Sequence, residues 1–221
     1  MAQCFKDNYE VLDVLIQNAA IFDITQKGIM FTEEGIEHVW ATNHIGSVLL
    51  TQLLLDPLRQ SSQGRVITIA SKGLMAMPFL QVYLKNPEFR DMEFGVATAY
   101  YQSKIAQIMY TYWLAEKLKE TKVTVNCIRV PNVRVDISKY SNLPRFLRFL
   151  YSLKMKFTMP PEEMAKTYTY LATSDEVSHI TGKYFDEKNS WVNSSKYSTD
   201  SENIEQVMRL TIDFIDLKKI T

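Results

Sequence analysis

The sequence predicts an α/β fold, a doubly wound parallel sheet with helices on its faces. Short apolar runs that read as buried strands alternate with long amphipathic stretches that read as helices, which is the pattern of a parallel sheet. A chain of 221 residues, 46% of them hydrophobic, can bury a full core as one unit. No internal repeat, low-complexity tract or linker divides it, so residues 1–221 are expected to form a single piece.

In order, Phe5 to Leu12 reads as the tail of a helix, and Asp13-Val14-Leu15-Ile16-Gln17-Asn18 as a buried strand ending at Ala19-Ala20. After a loop containing Gly28, Thr32 is the expected N-cap of a helix with Glu33 and Glu34 in its first turn, running to about Arg59. Gly64 to Ser71 is the next strand, with Ser71 at its C-terminal end. A long segment, Lys72 to Ala97, leads into a helix from about Thr98 to Glu120 that buries Ile105, Ile108, Tyr112 and Ala115. Val123 to Val130 is a third strand closed by Pro131. Pro161 to Thr173 is a helix with Pro at its start, Lys183-Tyr184-Phe185 a short last strand, and Glu202 to Lys218 a closing helix.

Composition removes several classes of function. Lys and Arg balance Asp and Glu at 25 each with no basic block, which argues against a nucleic-acid partner. His38, His44 and His179 form no metal-ligand spacing with Cys4 and Cys127. Those cysteines lie far apart, and Cys127 sits in an apolar strand, so a reduced, cytoplasmic protein is expected. The N-terminus has no signal-peptide pattern, and no apolar run reaches membrane-spanning length.

Ligands of open α/β sheets bind at the carboxyl ends of the strands, where Asn18, Ser71 and Pro131 all fall and where the Tyr100 helix begins. Tyr100 and Lys104 are four apart on that helix and share one face. An ammonium beside a phenol favours the phenolate; reaching neutrality from an ordinary phenol costs roughly 4 kcal/mol, which also needs a second positive charge or a desolvated site. The pair suits proton transfer to and from an alcohol or carbonyl oxygen. Alone it is weak, because Tyr184 and Lys188 repeat the spacing on a strand running into a turn.

Six blocks in order resemble the short-chain dehydrogenase/reductase family, in its retinol-dehydrogenase-like and WW-domain-oxidoreductase-like branch. Leu12 to Ala20 resembles LDVLINNAG, Thr42-Asn43-His44-Ile45-Gly46 resembles VNHLG, and Arg65 to Ser71 is similar to RIVNVSS. Tyr100-Tyr101-Gln102-Ser103-Lys104 is similar to YxxSK, Val125 to Val133 to VNALHPGVV, and Pro161 to Ala165 with Gly182 to Phe185 to SPEEGA…GKYF. The resemblance implies strands 4–7 of a Rossmann-like sheet and NAD(P)-dependent interconversion of alcohol and carbonyl. It implies Tyr100 as general acid/base, Lys104 as the group that depresses its pKa and holds the ribose, and Ser71 as the donor that orients the substrate oxygen. Asn43 would support a proton-relay water. NAD or NADP would lie along Asn18, Ala19, Ala20, Lys104, Pro131, Asn132 and Val133.

The departures from the family pattern are as specific. No two of the seven glycines are closer than seven residues, so the glycine-rich turn that takes the pyrophosphate is absent from this sequence. The chain begins where the family would already be in its third helix, so this reads as a truncated, C-terminal portion lacking the nucleotide-binding βαβ half. Gln17 and Ala20 replace the first asparagine and the glycine of NNAG. Asn132 replaces the glycine after Pro131, and Val135 stands where a hydroxyl residue usually meets the nicotinamide carboxamide.

In the family order 3-2-1-4-5-6-7, loss of the first three strands leaves the Val14 strand as an apolar edge. A partner chain or segment covering that edge, a marginal molecule and a shortened gene product are the open explanations. A second function class follows: a degenerate, cofactor-free protein that binds a partner or a second copy through this edge or through helices Glu33–Arg59 and Thr98–Glu120. From Asn142 to Met159, Phe146, Leu147, Phe149, Leu150, Tyr151, Leu153 and Phe157 interleave with basic residues. By position this resembles the family's substrate-covering segment and points to a small lipophilic alcohol or carbonyl, with membrane-surface contact as the alternative. Met75, Met77, Phe79 and Leu80 could form the opposite pocket wall.

Overall fold

The structure, a computed structural model, describes residues 1–134 and 158–217. Within them one sheet has four parallel strands in the order β1-β2-β3-β4: β1 (Val14–Gln17), β2 (Arg65–Ser71), β3 (Thr124–Val130) and β4 (Lys183–Phe185). β2 and β3 are central and buried nearly throughout, which is why their sequences are apolar on both faces. Val66 and Val125 face one side, against Ile105 and Met109 of the long helix. Ile67, Ile69 and Ile128 face the other, against Met164 and Leu171. The sheet is therefore covered on both faces, as expected.

The rim of the sheet is stepped. Ser71 pairs with Val130, but β1 ends where Gln17 pairs with Thr68. The chain from Asn18 onward therefore leaves the ladder alongside the last residues of β2.

Helices α1 (Ala2–Lys6), α2 (His38–Trp40), α3 (Gly46–Leu53), α4 (Leu55–Gln60), α5 (Val96–Lys117), α6 (Pro161–Thr173), α7 (Lys196–Thr199) and α8 (Ser201–Leu217) complete the described chain. Three expectations need correction. The first helix is Ala2–Lys6, so Asn8 to Leu12 is its exit and not its tail. Thr32 is not an N-cap: its N–H bonds Ile36 O at 2.9 Å, Gly35 N–H bonds Thr32 O, and Gly35 sits at φ 74°. A glycine free to adopt positive φ closes a turn there, and the helix starts five residues later. Its cap is Glu37, whose carboxylate accepts from Val39 N (2.9 Å) and Trp40 N (2.7 Å).

Nor is that helix continuous to Arg59. Ala41–Ile45 is a π-turn between α2 and α3, and the chain breaks again at Leu54 (φ −106°). Pro57 gives the second break its cause, since it has no N–H to continue the ladder from α3. The long helix, in contrast, forms as expected to within three residues. It buries Ile105, Ile108 and Ala115, with Tyr112 half-buried. It also buries Gln102, Ser103, Lys104, Gln107 and Thr111, because the sheet lies on one side of it and α8 and the π-turn on others.

Candidate active site

Tyr100 lies in the first turns of α5, at the carboxyl rim of β2. Its phenol lies near enough to the Ser71 side chain for that hydroxyl to favour the phenolate. Ser71 Oγ also accepts Gly73 N–H at 3.2 Å and so caps the 3-10 turn Lys72–Ala76. Strand end, turn and helix start thus converge on two hydroxyls.

Lys104 is 2% exposed, and its Nζ donates to Ile69 O at 2.9 Å. Nζ stands 5.5 Å from the centroid of the Tyr100 ring, over its face. Burial pushes the ammonium down to about 8. The phenol moves the other way: burial pushes Tyr100 up to about 12, against the lowering hydrogen bond of Ser71. This corrects the expectation that Lys104 depresses it. The ammonium lies over the ring and is tied to a backbone carbonyl, while the cost of a buried phenolate dominates.

The burial has sources outside the motif. Phe22, from the loop after β1, stacks on Tyr100 with ring centroids 4.3 Å apart and planes 26° apart. Tyr101 meets Tyr100 edge-on at 5.2 Å. A Cβ on Gly73 would collide with the Tyr101 hydroxyl, so the absent side chain at Gly73 is what lets Tyr101 lie there.

Asn43 occupies the middle of the π-turn and is 1% exposed. It does not bond back to its own helix. Its Oδ1 accepts Ile21 N–H (2.7 Å), and its Nδ2 donates to Ile21 O (3.0 Å) and to Ser103 Oγ (3.2 Å). Ser103 Oγ in turn donates to Tyr100 O at 2.7 Å. Gln107 Nε2 donates to Asn43 O at 2.8 Å. Asn43 therefore clamps the loop after β1 to α5 one turn from Tyr100, and its side-chain oxygen keeps one lone pair for a further donor.

Of the residues assigned to the cofactor, Asn18, Ala19, Ala20 and Asn132 are exposed at the rim, and Pro131 and Val133 are half-buried. The segment after β3 is stitched to Met159: Met159 N–H bonds Asn132 O (3.0 Å) and Arg134 N–H bonds Met159 O (2.9 Å). Val135 and the apolar run 142–157 lie outside the described residues.

Tyr168 of α6 also belongs to this rim, and no sequence signal marks it. Its hydroxyl donates to Asn18 Oδ1 at 3.1 Å. Burial raises it to about 12, with the charges of Cys127 and Tyr100 adding to the effect, so it belongs to the same rim. Phe22 was equally silent. No spacing rule links either residue to Tyr100; the juxtaposition is made by the crossovers. Among the described residues no cluster of His, Cys, Asp or Glu could hold a metal.

The sequence model of the family described as short chain dehydrogenase matches residues 1–84. Human retinol dehydrogenase 14 is 37% identical over 175 residues, which is 79% of this chain and 50% of that protein. The chain belongs to the short-chain dehydrogenase family. Within the family it is retinol-dehydrogenase-like, although it spans only half the length of that relative. Among solved structures, an uncharacterised protein from Mycobacterium paratuberculosis shares the fold with a TM-score of 0.68 and 22% identity, over 96% of this chain and 70% of that one. A short chain dehydrogenase from Escherichia coli CFT073, complexed with NADPH, gives a TM-score of 0.56 and 22% identity over 85% of this chain and 67% of that one.

The residues present fit one end of a dinucleotide. Lys104 has N–H groups beyond the one given to Ile69, and Asn18 to Ala20 offer exposed backbone beside β2. A glycine-rich turn for the pyrophosphate is not among them.

Proposed function

We propose that this chain is the catalytic portion of one short-chain dehydrogenase domain, and that it interconverts a lipophilic alcohol and its carbonyl compound with NAD or NADP. The observation that supports this most is Tyr100 beside Ser71 at one rim, with Lys104 Nζ over its ring. Burial keeps the Tyr100 phenol neutral at physiological pH, which is the form that donates a proton to a carbonyl oxygen. Ser71 donates a second hydrogen bond to that oxygen and orients it. Lys104, held in place by Ile69 O, offers its remaining N–H groups to ribose hydroxyls. Asn43 fixes the floor of the site, and its side-chain oxygen has acceptor capacity for a relay water. A bound dinucleotide would supply the hydride, resting along Asn18, Ala19, Ala20, Pro131, Asn132 and Val133.

The test is a titration of the purified 221-residue chain with NADH and NADPH, followed by turnover of a lipophilic aldehyde. Binding at millimolar nucleotide or better is expected, with turnover lowered by about 10² or more in Tyr100→Phe while binding persists. No binding at millimolar nucleotide sinks the reading for this chain, as does turnover indifferent to Tyr100→Phe.

A second reading has its own observation. β1 pairs only with β2 among the described residues, and Ile16 on it is 40% exposed. A cofactor-free protein that docks a strand from a partner or a second copy would use this edge. The helices offer less, because Val207, Met208 and Ile215 of α8 already pack with Tyr110 and Leu114 of α5. We place the protein in the reduced cytoplasm, both cysteines being free and Cys127 buried, with a membrane surface as the alternative location. No helix among the described residues is long and apolar enough to cross a membrane.

A further inference from the structure

The loop after β1 starts from a fixed point. One side chain, Asn43, holds both backbone groups of Ile21: its Oδ1 accepts Ile21 N–H at 2.7 Å, and its Nδ2 donates to Ile21 O at 3.0 Å. Asn43 is itself 1% exposed, and Gln107 of α5 donates to its backbone carbonyl. The peptide units on either side of Ile21 cannot turn without breaking one of these bonds, so the next residue leaves in a set direction.

That residue is Phe22. Its ring lies nearly parallel to the Tyr100 ring, with centroids 4.3 Å apart and planes 26° apart, which is the short end of the range in which aromatic pairs attract. Tyr101 is a more distant neighbour, at 6.3 Å and 50°. Phe22 is still 36% exposed, so its own burial is not what the arrangement secures. What it covers is Tyr100.

A proton donor needs two things from such a neighbour. Its oxygen must stay within hydrogen-bond reach of the group it protonates, and a displacement of about 1 Å can cost on the order of 10² in rate. A phenol at a helix start can change rotamer unless something lies on its ring. The ring must also be kept dry, because water favours the phenolate and loosens the hold on the proton. Burial already pushes Tyr100 up to about 12, and the stack with Phe22 supplies part of that burial.

We infer that Phe22 is a positioning residue of this site: its ring, fastened through Ile21 by Asn43, holds the Tyr100 phenol in its seat beside Ser71 and shields it from water. The inference rests on the oxidoreductase reading, in which Tyr100 is the acid. Other ionisable groups near the phenol have their own ties. On α5, Lys104 is bonded to Ile69 O, and Tyr101 lies edge-on to Tyr100. On α6, Tyr168 is bonded to Asn18. Val39 and Phe89 belong to the same apolar cluster as Tyr100, and beside them Glu37 caps α2 while Glu88 pairs with Arg90. Asp23, next to Phe22, accepts Thr25 N–H at 2.9 Å and Thr25 Oγ1 at 2.6 Å. None of these contacts involves Phe22.

The test is a fluorine NMR titration of the full chain without nucleotide, with difluorotyrosine in place of Tyr100. Fluorination brings the phenol's titration down into a range where the chain stays folded. Phe22→Ala is expected to remove the ring-current displacement of the fluorine signal. It is also expected to lower the midpoint by about one pH unit, a tenfold gain in acidity. Phe22→Tyr restores both; Phe22→Leu, apolar but without a ring, gives an intermediate midpoint and no ring-current displacement. Circular dichroism is expected to stay unchanged, and if Phe22→Ala does not fold, Phe22→Leu against Phe22→Tyr makes the same comparison. A residue that merely packed the loop would lower the unfolding temperature and leave the midpoint alone. A midpoint unmoved or raised in Phe22→Ala, or equal in Phe22→Leu and Phe22→Tyr, overturns the assignment. No nucleotide is present, so neither result bears on the binding of NADH or NADPH that tests the oxidoreductase reading.

Discussion

At the scale of single residues, Tyr100 and Lys104 are both driven toward neutrality by burial, the phenol upward and the ammonium downward. Their effects on stability run in opposite directions. Lys104 loses its proton at about 8 when folded and at an ordinary lysine value when unfolded, so the unfolded chain holds more protons in between and stability gains as pH rises through that window. Tyr100 keeps its proton to about 12 when folded, so above pH 10 the folded chain holds more protons and stability falls with pH. Urea unfolding from pH 8 to 11 should show Tyr100→Phe resisting the alkaline loss relative to the parent; equal slopes would contradict the burial of the phenol. Ser71→Ala removes the hydrogen bond that lowers Tyr100, and ultraviolet difference titration should place the phenol still higher. The sequence placed these side chains at the rim because strand ends and helix starts are local signals. It could not give the sign of the phenol's shift, because Phe22 and Tyr101 pack on Tyr100 through contacts that only the fold assembles.

At the scale of elements, the apolar contact of β2 with α6 is reinforced by one polar side chain. Arg65, at the start of β2 and 5% exposed, donates from Nη1 to Leu171 O (3.0 Å) and Ser174 O (2.9 Å), carbonyls at the C-terminal end of α6. A cation there satisfies acceptors the helix cannot and complements its dipole. Arg65→Met leaves both carbonyls buried and unsatisfied and should cost about 1–3 kcal/mol in urea unfolding; a change under about 0.5 kcal/mol would show that water replaces the guanidinium. α6 and β4 were legible to the residue, Pro161 marking the helix start and Lys183-Tyr184-Phe185 the strand. The helix after β1 was not. Thr32-Glu33-Glu34 has the composition of a helix start, but Gly35 at positive φ turns the chain first and Glu37 takes over as cap. Nothing in Ala41-Thr42-Asn43-His44-Ile45 announces a π-turn, since its stability comes from what Asn43 bonds across the interface.

At the scale of the molecule, the sheet ends on β1 with its outer side bare among the described residues. Parallel sheets are ordinarily covered on both faces and protected at their edges, and this one meets only the first condition. Ile16→Lys places a charge on the exposed position of that strand and should lower concentration-dependent association in light scattering without lowering the folded signal. If association is unchanged, the edge is not the adhesive surface. Strand order and parallel sense were readable because apolar strands alternated with helices. What the edge meets was not, because that depends on residues other than those of the strand.

The π-turn carries one residue more than an α-helix of the same rise, and that surplus has a consequence for how the chain tolerates change. Excising a single residue between Ala41 and Ile45 would let the backbone rewind to regular pitch with the flanking turns kept in phase, and would take away the wide turn that presents Asn43. The grip of Asn43 on Ile21 would then be lost, and with it the seat of Phe22. A one-codon deletion in an outwardly unremarkable helix would thus disable a phenol sixty residues downstream more thoroughly than many substitutions beside it.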